Sequence, residues 1–102
     1  MQNITTKLIK NKLSEVLDPE LNISIVDMGL IYKVVLNHLQ GVKITMTLTN
    51  IGCPLAGMIE YEIKTKLKEL GFKDKNIEIK LVFDPPWSVD KMTKKGKTVL
   101  GI

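Results

Sequence analysis

The residues with the most chemical potential fall in one stretch, Thr47-Leu48-Thr49-Asn50-Ile51-Gly52-Cys53-Pro54-Leu55-Ala56-Gly57, which holds the only cysteine of the chain. Proline suits the first position of a helix, where its missing N–H would have had no intrahelical partner. Pro54 therefore puts Cys53 at or next to a helix N-cap, where unpaired backbone N–H groups meet the positive end of the macrodipole. Such a place stabilises a thiolate, the form that attacks electrophiles and binds metals. The opposing reading is a structural cysteine packed as a small hydrophobe. Gly52 and Pro54 set the residue on a connection and not on an apolar face, and functional groups gather on connections. Local chemistry leaves the two readings level. One thiolate does not complete a metal site, and without a second thiol there is no internal thiol–disulfide cycle.

The second candidate is Trp87 in Asp84-Pro85-Pro86-Trp87. A lone tryptophan is first of all a packing residue, yet a rigid diproline holding one beyond a strand end also suits a recognition surface. Asp84 falls near the Cys53 edge if the strands on either side share one sheet. Thr49, nearest the cysteine loop, is placed to orient a ligand, while Thr45, Thr47 and Thr49 together read as one polar sheet face. His38, in a predicted hairpin loop with no second histidine, reads as a solvated turn residue. Asp18, Glu20 and Asp27 lie beside Pro19 and Gly29, where aspartate routinely serves turns and caps. CxxC, HExxH, P-loop and GxSxG patterns are all missing, so no catalytic constellation can be named.

The elements that must position these residues follow from periodicity. Thr5 or Thr6 can cap a helix running to about Leu17, with Leu8, Ile9, Leu13, Val16 and Leu17 as its apolar stripe. Asp18-Pro19 stops it. Leu30–Leu36 reads as a strand, Asn37–Gly41 as a hairpin loop, and Val42–Thr49 as a second strand of strict alternation. A second helix runs from Pro54 to about Leu70, burying Leu55, Ile59, Ile63, Leu67 and Leu70, and Gly71 ends it. Glu60–Lys64 and Glu62–Lys66 are favourable i,i+4 pairs. Ile77, Ile79, Leu81 and Phe83 alternate as a third strand, and a short helix from about Thr93 to Leu100 closes the chain. The expected fold class is α+β: a compact two-layer domain of α-β-β-α-β order, with a small mixed sheet and a short C-terminal helical tail, forming a single domain over 1–102.

Composition bounds the class further. At 102 residues, 44% apolar and 25% charged, the chain is in the globular range. It has neither a membrane-spanning apolar run nor the layout of a secretory signal, and one cysteine excludes a disulfide framework. These features point to the cytoplasm and to no membrane partner. The net charge of +4 raises nucleic acid as a partner. The lysines are spread along the chain, however, and only Lys91, Lys94, Lys95 and Lys97 cluster, with no aromatic residues interleaved for base stacking.

Four blocks, in order and at these spacings, carry a resemblance over about Leu8–Ile102. They are Val16-Leu17-Asp18-Pro19-Glu20-Leu21; Ile25-Val26-Asp27-Met28-Gly29-Leu30-Ile31-Tyr32; Met46-Thr47-Leu48-Thr49 with Gly52-Cys53-Pro54; and Asp84-Pro85-Pro86-Trp87. The chain resembles the SufT/PaaD-like iron–sulfur cluster assembly domain. The resemblance implies a compact α/β domain with a reactive cysteine at Cys53, and a role in maturing iron–sulfur proteins. It places Asp18, Glu20, Asp27, Thr49 and Asp84 on family motif positions. Two departures stand out: the segment Asp90–Gly96 is basic where the family has a methionine pair and an acidic helix start, and the cysteine-rich extension of PaaD-type proteins is missing.

Iron–sulfur clusters are ordinarily held by about four ligands, mainly cysteine thiolates. With one thiolate, the expectation is a labile cluster, or bare iron, bound at Cys53 with Thr49 and Asp84 beside it. A second subunit in a homodimer, a small thiol or a client protein would complete the coordination. The expected partners are the assembly machinery and client apoproteins, and the expected activity is carriage, not catalysis. The main alternative is a metal-free adaptor in the same pathway that recognises clients through Trp87. A small basic nucleic-acid-binding domain is the distant one, lacking a GxxG loop or aromatic strands.

Overall fold

The computed structural model describes residues 5–18, 22–37, 41–49 and 56–101. Its central element is the strand Val42–Met46 (β2), which lies between Ile31–Leu36 (β1) and Ile77–Leu81 (β3). β1 runs antiparallel to β2, with Val34 opposite Ile44 and Leu36 opposite Val42. β3 runs parallel to β2, with Val42 opposite Ile77 and Ile44 opposite Ile79. A parallel neighbour requires a crossover, supplied here by the helix Ala56–Glu69 (α2). The sheet is therefore mixed, as expected.

Alternation in β2 divides the sheet into two faces. Val42, Ile44 and Met46 are buried and join Val34, Leu36, Ile77 and Ile79 on the side that the helices cover. The first helix, Thr6–Leu13 (α1), contributes Ile9 and Leu13, and α2 contributes Ile59, Ile63 and Leu67. Lys33, Val35, Lys43, Thr45, Glu78 and Lys80 occupy the opposite face, which no helix covers among the described residues. The order is α-β-β-α-β followed by the C-terminal helix Lys94–Leu100 (α3). No helix among the described residues is long and apolar enough to cross a membrane.

Several boundaries differ from expectation for physical reasons. α1 is capped by Thr5, whose hydroxyl accepts from the Leu8 amide at 3.1 Å, but it ends at Leu13 and not near Leu17. Residues 16–18 are drawn instead into a short antiparallel ladder with 23–25. The Ile25 amide donates to Val16 at 2.9 Å and the Asp18 amide to Ile23 at 2.8 Å. Leu17 consequently leaves the apolar stripe and is exposed. The β1–β2 pairing continues one step past Met46, where the Thr47 amide donates to Leu30 at 2.8 Å, but the strict alternation ends there because Thr47 and Leu48 are both buried. Thr49 lies beyond the strand, so of the three threonines only Thr45 stays on the polar sheet face. Leu81, expected inward, is exposed.

α2 terminates as read. The Phe72 amide reaches back to Leu67 at 3.2 Å and the Gly71 amide to Lys68 at 3.0 Å, with Gly71 at φ 105°. Buried Leu67 and Phe72 supply the apolar contact that accompanies this Schellman arrangement. On the outer side, Lys66 turns from the expected pairing with Glu62 toward Glu15 at 3.2 Å and Glu69 at 3.9 Å. Lys12 of α1 meets Glu69 at 2.9 Å, completing a four-residue clasp between the two helices.

Candidate functional site

The parallel pairing of β2 and β3 brings the chain out of both strands at the same end of the sheet. The Val82 amide donates to Met46 at 2.8 Å, so the ladder extends one step beyond β3 before the chains diverge. Thr49 follows the end of β2 by three residues and Asp84 follows Val82 by two. Both are exposed. The strands on either side do share one sheet, and the Thr49 and Asp84 segments leave it at one end; the expected nearness of Asp84 to Cys53 falls on a residue outside the described ones. Cys53, with Gly52, Pro54 and Leu55, lies outside the described residues, as do Pro19, Glu20 and His38. The chain re-enters the described structure at α2, whose first residue is Ala56.

The same end of the sheet is built by the turn at residues 25–30. Gly29 takes φ 76°, a conformation that side chains disfavour. A Cβ there would also lie 2.1 Å from the carbonyl oxygen of Lys91. Asp27 and Met28 are tied to the C-terminal segment as well. The Thr93 hydroxyl donates to Asp27 Oδ1 at 2.9 Å, and the Thr93 amide donates to the Asp27 carbonyl at 2.9 Å. Thr93 Oγ1 in turn accepts from the Gly96 amide at 3.0 Å, capping α3. Asp27 accordingly acts as a long-range strut between the turn and α3, while Thr93 supplies the helix cap.

Trp87 is half-buried against the core, and its indole N–H donates to the Met28 carbonyl at 2.6 Å. That bond fixes it chiefly as an anchor for the Asp84–Trp87 segment. A second anchor, which periodicity gave no reason to expect, is Tyr32. It is the extra residue of a bulge, since the β1–β2 register shifts between Ile31 and Lys33. Its hydroxyl donates to the Pro85 carbonyl at 2.8 Å, and the Lys91 ammonium sits 5.1 Å from its ring centroid, within cation–π range. The signal for the Thr93 contact was available as a threonine three residues before Gly96, an N-cap pattern. The Tyr32 contact spans 53 residues and left no local trace.

These contacts hold Asp84 on a connection supported by rigid elements, the usual setting for binding groups. The described carboxylates do not by themselves build a metal centre: among the described residues, no group of three or more His, Cys, Asp or Glu side chains could hold a metal ion. Cys53, the only cysteine in the chain, lies outside the described residues and is not part of that search.

Comparison with known proteins agrees with this architecture. The iron–sulfur cluster assembly protein family matches residues 7–79. The Fe-S protein maturation auxiliary factor YitW of Bacillus subtilis is 42% identical over 102 residues, covering 100% of this chain and 99% of the relative. The Fe-S protein maturation auxiliary factor SufT of Staphylococcus aureus is 40% identical over 87 residues, covering 85% of this chain and 98% of that one. A crystal structure of a domain of unknown function from Bacillus anthracis superposes with a TM-score of 0.87 at 39% identity, over 94% of this chain and 91% of that chain. The chain belongs to the iron–sulfur cluster assembly protein family.

Proposed function

We propose that this protein is an iron–sulfur maturation factor that holds a labile cluster, or iron, at Cys53 and passes it to client apoproteins. The observation that carries this reading is the match to Fe-S protein maturation auxiliary factors, which extends over the whole chain in the case of YitW. The fold supports it by bringing the segments of Thr49 and Asp84 to one end of the sheet, the end from which the chain leaves for Cys53.

The cluster is cargo, and ligand count explains why. A cluster ordinarily takes about four protein ligands, and one thiolate leaves the remaining positions to a second subunit, a small thiol or the client itself. Incomplete ligation keeps a cluster exchangeable. Thr49 and Asp84 contribute a hydroxyl and a carboxylate to the rim of the site, orienting the cargo or the incoming client. The sequence pairs Cys53 with no recognisable catalytic motif, and ligation is the role this reading gives it. The partners are the assembly machinery and the apoproteins that receive the cluster.

Anaerobic reconstitution with iron and sulfide tests the reading through visible absorption and bound iron and sulfide. Wild type should acquire a thiolate-to-iron charge-transfer band that Cys53→Ser lacks. Equal and negligible incorporation by the two proteins would contradict cluster binding at Cys53.

A further inference from the structure

The uncovered face of the sheet has a charge arrangement that the fold itself does not require. Register places Lys33, Thr45 and Lys80 in one row across the three strands, and Val35, Lys43 and Glu78 in the row beside it. Neighbouring strands lie about 4.8 Å apart, so the Lys33 and Lys80 backbones are separated by roughly 10 Å across Thr45. Lys43 reaches Glu78 at 3.7 Å, whereas Lys33 and Lys80 make no ion pair with any described residue. Both are exposed. Like charges near one another on a sheet face are unfavourable, and polar uncharged residues would serve a solvated face equally well. The row lies one residue before Met46 and Leu81, at the end where the chain departs toward Thr49 and Asp84.

We propose that this face is a docking surface for an acidic, extended protein segment, which it holds beside the end of the sheet where the Thr49 and Asp84 segments emerge. Charge complementarity identifies the occupant. Alternate residues of an extended chain are about 7 Å apart on one side, a spacing that flexible lysine stems match across the row. A polypeptide fits better than a nucleic acid for two reasons. Val35, 40% exposed in the row of Lys43 and Glu78, offers apolar contact to a side chain. The nearby Tyr32 ring is also already occupied by the Lys91 ammonium and gives no free stacking platform. The proposed contacts do not include Cys53, so the surface can be tested without any metal.

The experiment is an amide-resolved NMR titration of the metal-free Cys53→Ser chain at low salt. The probes are an octapeptide of alternating glutamate and valine, its glutamine counterpart, and a single-stranded DNA octamer. The glutamate peptide should shift the amides around Lys33, Lys43, Thr45 and Lys80, and the glutamine peptide should not. Lys33→Glu with Lys80→Glu should weaken binding roughly tenfold or more, while Glu78→Gln should strengthen it. The unperturbed remainder of each variant's spectrum reports that the fold is intact. Equal response to the two peptides, shifts centred on Lys94, Lys95 and Lys97, or tighter binding of DNA on the same face would each overturn the proposal. Because the protein tested lacks the thiolate, none of these outcomes depends on whether Cys53 carries a cluster.

Discussion

Gly96 shows how a single residue can reverse the expectation that its type suggests. As a helix residue it costs about 1 kcal/mol against alanine, which reads as a weakness in α3. In the fold it is buried, and a Cβ at that position would lie 2.6 Å from the Asp27 carbonyl oxygen and 3.2 Å from the Met92 methyl. Gly96→Ala should therefore destabilise the protein by roughly 1–3 kcal/mol in urea unfolding despite the better helix propensity. A stabilised variant would mean that the turn can yield. Thr93→Val, which removes the bond to Asp27 and the cap on Gly96 together, should cost about 1–2 kcal/mol by the same measurement. The sequence marks Gly29 and Asp27 as turn residues and Thr93 as a helix start. What it does not reveal is that these residues meet, because the contacts join residues 66 positions apart. Thr47 is a similar case: alternation assigned it to a polar face, whereas Thr47 and Leu48 are both buried where the chain leaves β2.

Between elements, α1 and α2 are joined at their outer surfaces by Lys12, Glu15, Lys66 and Glu69. The hydrogen bond from Lys12 is the main cause holding the Glu69 carboxyl below its usual range, and the same bond raises the Lys12 ammonium. A carboxyl whose folded pKa is depressed stabilises the fold above its unfolded pKa and loses that contribution as pH falls through the folded value. A raised amine contributes fully below its unfolded pKa and loses its contribution as pH rises through the folded one. The clasp is therefore complete between the ordinary carboxylate and lysine ranges and weakens outside them. At low salt, the melting temperature of wild type should fall more steeply below about pH 4.5 than that of Glu69→Gln. High salt should bring the two profiles together, since exposed pairs are screened. Parallel profiles at low salt would show that the clasp contributes nothing. Helix α2 was legible because its apolar spacing and Gly71 stop are local signals. The early end of α1 was not, because the strand-like pairing of 16–18 with 23–25 competes successfully for residues that a helical pattern also claims.

At the scale of the molecule, the parallel β2–β3 pair has two consequences. It carries the Thr49 and Asp84 segments out at one end of the sheet, and it sets Lys80 on the uncovered face with Lys43, where the antiparallel β1 adds Lys33. Read along the chain, those lysines look dispersed; register alone gathers them. The α+β class, the mixed sheet and the C-terminal helix were all legible, since hairpin, crossover helix and third strand each left a periodic signal. The four motif blocks identified the family, and two of them, Ile25–Tyr32 and Asp84–Trp87, meet through Tyr32 and Trp87 although no local pattern explains a residue such as Tyr32. The central claim is that Cys53 holds a cluster in transit. The most direct test loads the protein anaerobically, removes free iron and sulfide, and adds an inactive apo-enzyme that needs a [4Fe–4S] cluster, in the presence of a chelator. Wild type should restore activity at a rate that rises with its concentration, with matching loss of its own absorption, and Cys53→Ser should restore none. Equal activation by both proteins would contradict the account.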